Sequence, residues 1–163
     1  MKVADLERLY ASGGSTRDLV ESALHALRHL DPDLAWRAVW ILRRAAADGH
    51  VNADVAARVA TCAEEFTHWA ARLTLCQLFA VRGCPVPAQD SLFPYLVECF
   101  ADRRPIVRAW ALSAMLSLEG NPEFQSEIDA CLAQARLDPT PSVQARLRRL
   151  KRSDPSRRPD RSS

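Results

Sequence analysis

Between residues 102 and 119 the apolar positions recur at helical spacing on almost every side. Ala109, Leu112 and Leu116, edged by Ile106 and Ser113, form one face, and Val107, Ala114 and Leu118 form a second strip. What remains is a narrow polar line along which Arg104, Arg108 and Glu119 project, with Ala111 and Met115 between them. A helix apolar on so many sides must be packed on as many, so this one is expected inside a stack. Asp102 and Pro105 predict its start, because Asp can accept from the unpaired N–H groups of a first turn and Pro has no N–H to lose there. Gly120-Asn121-Pro122 predicts its stop.

Weaker copies of the pattern fill the rest of the chain. A short amphipathic helix over 3–10 ends at Ser12-Gly13-Gly14 and reads as a cap, residues 1–14. Helices are then expected over 16–30, 34–47, 52–65, 67–82, 89–100, 123–137 and 143–152, with turns at Asp31-Pro32-Asp33, 83–87 and Asp138-Pro139-Thr140-Pro141. Asp31, Asp102 and Asp138 are 71 and 36 residues apart, so the longer gap holds one further copy in which Glu64, Glu65 and Phe66 replace the Asp-Pro turn and leave the register open. Two helices per unit of that length are the sign of an α-solenoid, whose short helices are held by stacking on their neighbours.

The series Asp102, Pro105, Val107, Arg108 and Ala109 resembles the second helix of a HEAT repeat, in particular the short bacterial HEAT-like type. Asp31 with Arg37 repeats the offset of Asp102 with Arg108. The resemblance implies an all-α α-α superhelix of about four helical hairpins over residues 15–152; residues 153–163 lack apolar side chains and are expected to form a disordered basic tail. It also implies Asp–Arg ladders between repeats, second helices that line a concave surface, and a scaffold or adaptor in place of an enzyme. The landmark residues of TPR and ankyrin repeats are absent.

Composition agrees with that class. The chain has 163 residues, 48% hydrophobic, with only 5 Gly and no alternating run that predicts a strand. Charged residues scattered through the first thirty positions exclude a secretory apolar core, and no apolar run approaches a membrane span, so a soluble, cytoplasmic protein with no membrane partner is expected. Cys62, Cys76, Cys84, Cys99 and Cys131 each sit in or beside an apolar segment and read as reduced core residues, with Cys84 the one thiol expected near the surface. Residues 151–163 hold five of the 22 basic and two of the 20 acidic residues, which leaves 17 and 18 in residues 1–150. A body so nearly neutral lowers the expectation of a general polyanion binder.

Candidate chemistry is that of binding. Arg37, Trp40 and Arg44 fall in one sector with Asp33, and Arg104, Arg108 and Met115 supply the same sector of the third repeat. At about 8–10 Å per helix the second helices would present a groove about 25–30 Å long. Arg and Trp are the residue types that anchor interfaces, so the expected role is a noncatalytic adaptor that holds an acidic segment of a protein partner. Trp36, Trp69 and Trp110 are expected in the packing between repeats. The alternative is a DNA-backbone binder, with Arg146, Arg148, Arg149, Lys151 and Arg152 as phosphate contacts. His25 and His29 have a chelating spacing but no completing ligand, and no nucleotide, nucleophile or zinc motif occurs, so no metal, cofactor or catalytic residue is assigned. Oligomeric state is not legible in the residues.

Overall fold

In the computed structural model, residues 16–27, 32–87, 92–119 and 121–153 are described, with Asp5, Arg8, Ala11 and Ser12; of residues 32–34 and 151–153 only the backbone is considered. The predicted cap, apart from those four positions, and the tail beyond residue 153 lie outside the described residues. All regular structure among them is helical. It comprises α1 (Thr16–Ala26), α2 (Pro32–Ala47), α3 (Ala53–Thr61), α4 (Trp69–Phe79), α5 (Leu92–Phe100), α6 (Pro105–Leu116), α7 (Gln125–Leu137) and α8 (Pro141–Ser153), with a 3-10 turn at Ala63–Glu65.

Local chemistry sets the ends. Pro105 opens α6 and Pro141 opens α8, and before each an Asp carboxylate turns the chain: Asp102 accepts from the Arg104 N–H at 2.8 Å, and Asp138 from the Thr140 N–H at 2.9 Å. The Asn52 side chain accepts from the Val55 N–H at 2.9 Å and caps α3. Gly49, at φ +78°, closes α2 in the left-handed region that favours glycine. Helix α3 is shorter than the expected 52–65, because the Cys62 N–H bonds back three residues to the Val59 carbonyl and tightens the chain into the 3-10 turn.

The helices form two sets. The even-numbered helices pack in series, α2 on α4, α4 on α6 and α6 on α8, while α1, α5 and α7 each pack on the even helix that follows. Helix α3 differs: its nearest backbone neighbours are α1 and the 3-10 turn, which itself rests on α5. The second pair is therefore joined through the turn and not along a shared length. Leu42, Leu75, Leu78, Leu96, Leu112 and Ile128 are among the fully buried side chains between these helices, and each large aliphatic residue so placed stabilises the fold by about 1.5–3 kcal/mol. Ala38, Ala109, Ala111 and Ala114 keep the even row close.

Two surface expectations are corrected. Ala111 and Met115, expected along an exposed polar line, are fully buried, because α6 has α4 and α8 beside it and α5 and α7 behind it. Cys84 is also buried, and that burial pushes its thiol up to about 11. All five cysteines are free thiols, and Cys62 is the half-buried one. No helix among the described residues is long and apolar enough to cross a membrane.

Candidate interaction face

Arg72 on α4, Arg108 on α6 and Gln144 on α8 are spaced 36 residues apart, and each side chain donates to the main-chain carbonyl six residues before it. The bonds are Arg72 Nε to Phe66 O at 3.3 Å, Arg108 Nη1 to Asp102 O at 2.9 Å, and Gln144 Nε2 to Asp138 O at 2.7 Å. The shared contact fixes the register of the degenerate second copy, in which Phe66 stands where the others have Asp. The two arginines also reach forward. Arg108 holds Asp138 Oδ2 through Nε and Nη2 at 3.0 and 2.9 Å, and Arg72 pairs with Glu98 and lies 3.8 Å from Asp102 Oδ2. Each guanidinium thus ties the turn before its own helix to an acid carried by a later segment. The Thr140 hydroxyl first, and then Arg108, hold the Asp138 carboxyl below the usual carboxylate range.

The residues expected to bind a partner are found in three settings. Arg108 is drawn into this ladder, with its side chain only 19% exposed. Arg104 precedes α6, where its guanidinium lies 5.2 Å from the centre of the Trp69 ring and 4.0 Å from Asp102 Oδ1. On α2, at the other end of the row from α8, Arg37 stacks on Trp36 at 4.5 Å, Trp40 is half-buried against the core and Arg44 is exposed. The neighbouring Arg43 has a buried Nε with no hydrogen-bond partner among the described residues. Of the expected phosphate contacts on α8, Arg148 and Arg149 are exposed and Arg146 is half-buried, while Lys151 and Arg152 are placed by backbone alone.

The face of the row left open runs elsewhere. On α6, Ile106, Trp110, Ser113 and Ser117 are spaced 4, 3 and 4 residues apart and share a sector of about 60°. Ile106 is 41% exposed, Trp110 is half-buried, Ser113 is buried and Ser117, just past the end of α6, is exposed. One unit earlier, the corresponding positions are Ala70, Thr74 and Gln77 on α4 and Val81 just past its end, of which Thr74 is buried and the others are half-buried; one unit later, α8 carries Ser142, Arg146 and Arg149. Arg146 is the centre of this face. Its guanidinium lies over the Trp110 ring at 3.7 Å from the centroid, and its Nε donates to Ser113 Oγ. Both contacts are to uncharged groups, and no carboxylate pairs with it among the described residues. Burial and the positive Arg149 push its pKa down, the direction expected of a cation short of counter-charge. Trp69, expected in the packing, is 38% exposed at the start of α4. Trp69 and Trp110 are therefore each covered by an arginine from a later segment.

The near-neutral body conceals a separation of charge. The even helices carry three basic residues on α2, one each on α4 and α6 and five on α8, against Asp33 as the one acid. The odd helices carry Arg17, Arg58 and Arg136 against Asp18, Glu21, Asp54, Glu98, Glu127 and Asp129. A cavity of about 380 Å³ lies between α1 and α3, but the charges around it serve one another: Arg58 lies 3.2 Å from Glu21 and 3.8 Å from Asp54. No cluster of three or more metal-ligating side chains occurs among the described residues. No family model, curated protein or solved structure matches the chain.

Proposed function

We propose that this chain is a noncatalytic HEAT-like α-solenoid, an adaptor of the cytoplasm that receives a segment of a protein partner on the open face of its even-numbered helices. The observation that carries the reading is Arg146, a half-buried guanidinium on that face whose neighbours are a tryptophan ring and a hydroxyl. A cation buried beside apolar atoms without a counter-ion is unfavourable, and a carboxylate from a partner relieves it through directional bonds. The 36-residue recurrence of the carbonyl-bound side chains supports the HEAT-like part of the reading.

A nucleic-acid reading is favoured by the five basic residues of α8. The centre of the face argues for the protein partner: α4 and α6 contribute one arginine each, both engaged by carboxylates, and present Ile106 and Trp110 in place of a continuous cationic track. The test is capture from native lysate by the tagged wild-type chain and by Arg146→Glu, with and without nuclease. A protein retained by wild type through nuclease treatment and lost from the variant supports the adaptor reading. Retention that nuclease abolishes replaces it with the nucleic-acid reading.

A further inference from the structure

The open face is not uniform along the row, and its asymmetry specifies what fits it. Toward α4 it is uncharged, with half-buried Ala70, Gln77 and Val81 about the buried Thr74. In the middle, Ile106 is exposed and Trp110 half-buried, and toward α8 the face becomes cationic at Arg146 and Arg149. Arg72 and Arg108 do not soften this gradient, since carboxylates of this chain already hold them.

Resting on the adaptor reading above, we infer that the face takes a polarised protein segment: an apolar anchor seated on Ile106 and the edge of Trp110, and a carboxylate one helix spacing further on, received by Arg146. Charge complementarity selects the acid, and the uncharged α4 side selects the anchor. The helix spacing of about 8–10 Å sets their separation at about three residues of extended chain or about two turns of helix. Trp110 acts at both sites, since its edge meets the anchor while its face keeps the guanidinium in place by cation–π attraction. A nucleic acid lacks the apolar anchor and would leave the α4 half of the face uncovered.

The test is selection of a displayed 12-residue random-peptide library on the immobilised full chain. Affinities of the enriched peptides are then measured by fluorescence polarisation against wild type, Arg146→Glu, Arg146→Gln and Ile106→Arg, each checked for wild-type helix content. The expected peptides pair a large apolar residue with Glu or Asp at a fixed separation. They should bind Arg146→Gln roughly tenfold more weakly than wild type, and Arg146→Glu more weakly still. A peptide whose acid is replaced by Lys should bind Arg146→Glu better than it binds wild type, a swap that mere structural damage does not produce. Peptides that are lost with Ile106→Arg yet carry no acid and ignore Arg146 would overturn this inference and leave the adaptor face standing. No enrichment, or binding indifferent to both positions, overturns both. A labelled 20-nucleotide single strand that binds more tightly than any selected peptide, with affinity falling steeply as salt rises, also overturns both.

Discussion

Arg108 and Arg146 stand on successive helices of one row and have opposite surroundings. Arg108 meets a carboxylate, two main-chain carbonyls and a hydroxyl, all supplied by its own chain. Arg146 meets an indole ring and a serine hydroxyl. The first is a complete joint, in which the cost of desolvating a guanidinium is offset by ionic and hydrogen bonds. The second carries part of that desolvation without an ionic return. The described residues thus separate arginines paired with carboxylates of the chain from one that meets only uncharged groups, and the residue type alone does not say which is which.

The largest effect should come from breaking the complete joint. Arg108→Ala leaves the mostly buried Asp138 carboxylate without its cation and should lower stability by about 3 kcal/mol, read as a shift of the urea midpoint at constant slope. Arg72→Ala should cost less, about 1–2 kcal/mol, because its partner Glu98 is 62% exposed and returns to water easily. Acid should act on the same joint. The Asp138 carboxyl is held below its unfolded value, so its contribution is present above about pH 4 and is lost as pH falls through the lower folded value. Asp138→Asn should remove that part of the acid dependence, which urea titrations from pH 7 to pH 2 would detect. Arg146→Ala should change stability by less than about 1 kcal/mol, since a stacking contact and one hydroxyl are lost. Exposed Arg148→Ala should stay within about 0.5 kcal/mol of wild type. A cost at Arg146 equal to that at Arg108 would erase the distinction between them.

Much of the helical order was legible in the residues, because the second helices announce themselves by Asp, Pro and an apolar run. The second copy was harder for a definite reason. Arg72 bonds the carbonyl of residue 66, and every residue type carries a carbonyl, so Phe66 can replace Asp without loss of that contact. The fixed landmark was the arginine, at 36-residue spacing from Arg108, and not the acid. The exposure of individual side chains on α6 was harder to read, because arginines mark polarity at their tips while their stems travel sideways along the helix. Arg108 reads as a surface residue and ends in a joint; Ile106 and Trp110 read as core and remain partly open. The 4, 3, 4 spacing of Ile106, Trp110, Ser113 and Ser117 was present in the sequence, but which of the faces of α6 stays uncovered depends on four neighbouring helices. The separation of charge between even and odd helices was hidden by its own balance, since a whole-chain total sums the two sets.

The placement of the ladder bonds has a mechanical consequence. Each arginine spans a single joint, Arg72 from α4 to the segment that opens α6 and Arg108 from α6 to the segment that opens α8, and the even helices touch mainly their immediate neighbours. A load applied along the row is therefore borne by joints in series, and each can slip without first breaking the next. Stretching along the row is expected to load Arg72 and Arg108 as separate catches.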